Sequence, residues 1–76
     1  MQPLILIIED DERMAELIRR GLEESGYDVT LATDGAEGLS TALSRRFDAV
    51  VTDILLPTKS GLEVCKALKR ADEKYP

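Results

Sequence analysis

The chain has 76 residues, 43% of them hydrophobic and 33% charged, with a net charge of −5. That length allows one domain, with a core near the lower limit for independent folding, since so short a chain buries only about 60% of its unfolded surface. The content of Leu, Ile and Val excludes disorder, and the acidic balance argues against a nucleic-acid surface on this segment, because phosphate binding needs clustered Lys and Arg.

The first pattern in the chain is Leu4-Ile5-Leu6-Ile7-Ile8, an apolar run that leads directly into Glu9-Asp10-Asp11. Five residues are too few for a signal peptide or a membrane span, and the pattern reads as a buried strand. Asp11 is placed to cap a helix with Met14, Leu17, Ile18 and Leu22 on one face and Gly26 as its left-handed terminator. Asp28 to Thr33 alternates Val29 and Leu31 with Thr30 and Ala32, the pattern of a strand with one less buried face. Asp34 is placed to cap a second helix carrying Ala36, Leu39 and Leu43. Gly38 inside it costs roughly 1 kcal/mol relative to Ala, which makes this the least secure element. A third strand, Ala49-Val50-Val51-Thr52, ends in Asp53, and a loop containing Pro57 and Gly61 follows. The last helix groups Val64, Cys65 and Leu68 and runs out near Ala71. Cys65 is the single cysteine and is read as a core residue. No disulfide can form within one chain, so a reducing, cytoplasmic setting is expected.

The order βαβαβα implies a parallel sheet with right-handed crossovers. The first and third strands are apolar at consecutive positions, as strands covered on both faces are, and the second suits an edge. If the strand order is 2-1-3, the topological switch point falls between the first and third strands at their carboxyl ends. A three-stranded sheet has one central place for these two strands. Either further strands follow Pro76, or another chain covers the edge of the third strand.

Glu9, Asp10 and Asp53 would meet at that switch point. Taken singly, each reads as a helix cap or a solvated loop acid, which is also the reading for Asp11. Two apolar strands ending in acids at one crevice favour a joint role instead. Converging carboxylates repel, and the repulsion is relieved by raised pKa values or by a cation. Hard oxygen donors on an open site suit Mg²⁺, with Mn²⁺ as a substitute. A carboxylate beside such an ion can act as a nucleophile toward phosphorus. Thr52, Thr58 and Lys59 flank the site and read as solvated.

The stretches Ile5 to Asp11, Gly26-Tyr27-Asp28-Val29, Asp34 to Leu39 and Asp48 to Gly61 resemble the receiver domains of two-component response regulators. The resemblance runs through the whole chain and implies a flavodoxin-like receiver fold with the parallel strand order 2-1-3. Residues 1–76 would be the N-terminal part of a single receiver domain, without its last two βα units. By the same resemblance, Asp53 would accept a phosphoryl group from a phosphohistidine on a sensor histidine kinase. Asp10 would bind Mg²⁺ directly, Glu9 through water, and the Leu55 backbone carbonyl would complete the protein's share, with Pro57 and Gly61 shaping the loop. The family's Ser or Thr after the fourth strand and Lys after the fifth have no counterpart in these residues, so this form is expected to be impaired in phosphorylation and switching. Members catalyse their own phosphotransfer and dephosphorylation without being classical enzymes. Effector domains, which in this family often bind DNA, lie outside the segment.

The alternative reading is a non-catalytic half-fold that assembles as a homodimer, or by exchange of elements, through its exposed third strand. A phosphohydrolase with an aspartyl-phosphate is disfavoured, because Leu55 stands where the second Asp of such enzymes is found.

Overall fold

The computed structural model describes residues 2–53 and 59–71. Three strands, β1 (Leu4–Ile8), β2 (Asp28–Ala32) and β3 (Ala49–Thr52), alternate with three helices, α1 (Glu12–Glu24), α2 (Gly35–Ser44) and α3 (Gly61–Ala71). The sheet is parallel in the order β2-β1-β3, a receiver-like arrangement with the apolar β1 at its centre. The three strand starts, the strand order and the βαβαβα succession agree with the sequence reading.

Each helix start is fixed by a side chain. Asp11 accepts from the N–H groups of Arg13 and Met14, and Asp34 from that of Glu37. Ser60 Oγ accepts from Glu63 N–H at 3.2 Å. These bonds satisfy donors that no helical carbonyl can reach. The α1 terminus closes at Gly26, whose φ of 93° lies in the left-handed region that glycine enters without steric cost.

β1 shows both faces of the sheet. Leu6 and Ile8 form a core with Ala32, Ala42, Phe47, Val64 and Leu68, with Leu4, Leu39 and Val50 packed against it. This is the face covered by α2 and α3. Strand alternation turns Ile5 and Ile7 to the opposite face, where α1 lies on β1 and β2. At the amino ends of the strands, β1 and β3 are pinned in both directions. Asp48 N–H donates to the Leu4 carbonyl at 2.8 Å, and Leu4 N–H donates to Asp48 Oδ2 at 2.7 Å.

The helix faces differ from the sequence reading. On α1 the buried residue is Ala15, with Ile18 and Leu22 half-buried, whereas Met14 and Leu17 are 46% and 65% exposed. On α2 the buried line is Gly35, Gly38 and Ala42; Leu39 is half-buried, while Ala36 and Leu43 are exposed. Small residues line these contacts because the helices lie close to what they cover. A Cβ on Gly38 would fall 2.4 Å from Ile8 Cδ1. Cys65 is likewise exposed, since the buried stripe of α3 runs through Gly61, Val64 and Leu68. In β2, Ala32 is the fully buried residue, on the side expected to be more open.

The outward side of α1 carries an ion-pair network in which Arg19 bridges Glu16 and Glu23, and Arg20 also reaches Glu16. The Arg19 guanidinium holds the Glu16 carboxyl below its usual range. Pairs this exposed contribute little to stability.

Candidate functional site

The strand ends bring three acids together. Glu9 follows β1 and Asp53 follows β3, and the last paired residues of these strands are Ile8 and Thr52. Two backbone bonds continue the ladders past the strands. Glu9 N–H donates to the Ala32 carbonyl at 3.0 Å, and Asp53 N–H to the Ile8 carbonyl at 3.4 Å. Both acids are thereby held in frame with the centre of the sheet. Asp10 follows at the turn into α1. One carboxylate oxygen from each of Glu9, Asp10 and Asp53 lies within 4.8 Å of the other two. Glu9 is half-buried, while Asp10 and Asp53 are exposed.

Asp11 stands apart from this group, because its carboxylate is occupied at the α1 terminus. The division among four nearby acids is thus one cap and three converging groups. Unit charges about 4 Å apart interact by roughly 1 kcal/mol in water and about 4 kcal/mol at an effective dielectric of 20. The cluster therefore favours a cation, and three carboxylates, two of them exposed and one half-buried, are a donor set that suits a hard divalent ion retaining several waters.

The flanking residues take individual roles. Lys59 Nζ lies 3.7 Å from Glu63, and the Lys59 carbonyl sits against Gly35, where a Cβ would fall 1.6 Å from its oxygen. Gly61 makes a similar approach to the Asp53 carbonyl. Thr52, read from sequence as solvated, is half-buried and donates its hydroxyl to the Asp53 carbonyl at 3.0 Å. A threonine at the end of a strand carries no sequence signal for that contact. Leu55, Pro57 and Thr58 lie outside the described residues.

Open parallel α/β sheets form a class of folds whose ligands bind in the crevice at the carboxyl ends of the strands, where this acid cluster stands. Within that class the chain belongs to the response regulator receiver domain family, whose model matches residues 5–76. It is 41% identical over 76 residues to the alkaline phosphatase synthesis transcriptional regulatory protein PhoP of Bacillus subtilis, covering 100% of this chain and 32% of that protein. It is 43% identical over 72 residues to the response regulator MprA of Mycobacterium sp. (strain KMS), covering 95% of this chain and 31% of that one. The chain thus spans about a third of the length of these relatives. Among solved structures, response regulator TrrA from Thermotoga maritima, in complex with Mg²⁺-BeF, superposes with a TM-score of 0.94 at 32% identity, covering 97% of this chain and 64% of that one. The chemotaxis response regulator CheY4 of Vibrio cholerae gives a TM-score of 0.88 at 30% identity, covering 91% and 57%. Among the described residues, no helix is long and apolar enough to cross a membrane.

Proposed function

We propose that the chain is the phosphoacceptor part of a cytoplasmic two-component response regulator, with Asp53 taking a phosphoryl group from a sensor histidine kinase. The observation that carries this reading is the convergence of Glu9, Asp10 and Asp53, with ligand atoms within 4.8 Å of one another. In this reading residues 1–76 are the N-terminal part of a single receiver domain. Asp10 and Asp53 would hold Mg²⁺ directly and Glu9 through water, and the Leu55 carbonyl, which lies outside the described residues, would supply a further oxygen. The relative crystallised with Mg²⁺-BeF supports that choice of ion.

An Asp53 carboxylate oxygen attacks the phosphorus in line. The phosphorus–nitrogen bond of the donor phosphohistidine breaks, its electron pair leaves with the imidazole, and Asp53 becomes a mixed anhydride. Mg²⁺, when bound, neutralises charge on the phosphoryl oxygens. Without a cation, Glu9 and Asp10 oppose the approach of a phosphate, so a cation would have to be held before or together with the phosphoryl donor. The 76 residues offer no counterpart to the family's phosphoryl-binding hydroxyl and Lys. Labelling of this chain alone is therefore expected to be slow, because positioned donors carry much of the catalysis in phosphoryl transfer.

Mass spectrometry after incubation with Mg²⁺ and a small acyl phosphate tests the assignment. The chain should gain one phosphoryl group slowly, and Asp53→Asn should gain none. Labelling that persists in the mutant would place the acceptor elsewhere, and rapid stoichiometric labelling would show that the hydroxyl and Lys are dispensable.

A second reading, assembly through β3, is favoured by a specific observation. Among the described residues β3 lies at a sheet edge, and Val51 on it is 49% exposed.

A further inference from the structure

The strand that delivers Asp53 stops one residue short of it, at Thr52. Alternation along β3 places Thr52 on the same side as Val50, the side packed against the α2 and α3 core. Its hydroxyl donates to the Asp53 carbonyl at 3.0 Å. The first residue of α3 closes on the same oxygen from another direction. A Cβ on Gly61 would fall 1.9 Å from Asp53 O and 3.0 Å from Thr52 Oγ1. The Asp53 carbonyl is therefore seated between a hydroxyl donor and a backbone that leaves no room for a side chain. The bond on the other side of the residue, from Asp53 N–H to Ile8 O, is long at 3.4 Å. The carbonyl seat is thus the tighter of these two restraints on where Asp53 points.

Resting on the reading of Asp53 as phosphoacceptor, we propose that Thr52 is a positioning residue, whose hydroxyl fixes the peptide plane after Asp53 and so aims its carboxylate at Glu9 and Asp10. Threonine suits this task better than serine alone would suggest, because branching at Cβ restricts χ1 and keeps the hydroxyl aimed. Displacing a reacting group by about 1 Å is enough to cost a large factor in rate, so a restraint on the backbone of the nucleophile has direct chemical weight.

Thr52→Val removes the hydroxyl at nearly constant shape, and Thr52→Ser keeps it. In the metal-free chain, three-bond couplings report the χ1 populations of Asp53. Thr52→Val should spread a dominant rotamer over several, and Thr52→Ser should retain it; unchanged populations in Thr52→Val overturn the proposal. Mn²⁺ titration supplies the second readout, with Asp53→Asn alongside. Thr52→Val should bind Mn²⁺ about threefold more weakly, because a rotamer spread over about three wells leaves about a third of the chains competent to bind, with Thr52→Ser close to wild type. Wild-type affinity in Thr52→Val, beside weakened binding in Asp53→Asn, also overturns it. Unchanged binding in Asp53→Asn would instead sink the metal-site reading, and the couplings would then decide the role of Thr52 by themselves. A hydroxyl with a merely structural role would lower the melting temperature and leave both readouts where they were.

Discussion

Gly38 illustrates what a single residue can conceal. By helix propensity it is a defect, and replacing it with Ala should stabilise α2 by roughly 1 kcal/mol. The fold reverses that expectation, since a Cβ there would meet Ile8 Cδ1 at 2.4 Å, Cγ1 at 2.7 Å and Cγ2 at 2.9 Å. Ile8 is 1% exposed and packed within the core. Gly38→Ala is accordingly expected to destabilise the chain by about 1–3 kcal/mol through overpacking, measured by denaturant unfolding. A stabilised mutant would show that the Ile8 side chain can give way. The sequence marks the weakness of Gly38 in a helix without its cause, because the neighbour that requires it lies on another element. The three converging acids, in contrast, were legible: each follows an apolar run, and strand order alone brings the runs together. Thr52 was not, since its contact depends on the turn of one peptide plane.

At the scale of elements, strands were read more accurately than helix faces. A strand has period 2 and only two sides, so Leu4–Ile8 could be placed from its apolar run. A helix can rotate by a fraction of a turn and still present apolar residues inward. In α1 and α2 the contact line is made of Ala15, Gly35, Gly38 and Ala42, with the larger side chains to either side, whereas hydrophobicity alone points to the larger ones. The starts of α1 and α2 were clear, because capping chemistry is local. α2 depends on its cap more than the others, for it contains two glycines and several Ser and Thr. Asp34 accepts from Glu37 N–H, while Glu37 reaches back to Thr33 N–H at 2.8 Å, a reciprocal pair that satisfies two donors. Asp34→Ala should cost about 1 kcal/mol, readable as a lower denaturation midpoint at unchanged slope. Asp34→Ser should recover most of it. A midpoint unmoved by Asp34→Ala would mean that α2 is held by packing alone.

For the whole molecule, the two faces of the sheet are unequally covered. α2 and α3 close one face over a continuous core, while the face with Ile5 and Ile7 is covered, among the described elements, by α1. Met14, Leu17 and Val51 remain exposed. Open sheet edges and apolar patches of more than a few hundred Å² favour association. The 76-residue chain is expected to self-associate at micromolar concentration, as light scattering across a dilution series would show. Val51→Pro should dissociate or unfold the assembly, because it removes a ladder donor from the joining strand. A monomer with a cooperative unfolding transition at the same concentration would exclude assembly through β3.

The two-way pin between Leu4 and Asp48 has a consequence at the opposite end of the sheet. Glu9 stands five residues after Leu4, and Asp53 stands five after Asp48. Two lengths of chain, zeroed against each other at one end, therefore arrive level at the other, and the distance between the acids is measured out by residue count. Such a ruler tolerates changes of side chain along its length far better than changes of length. A single residue inserted between Asp48 and Asp53 would turn the following side chain to the other face of the sheet, and would part the acids while leaving every one of them in the sequence.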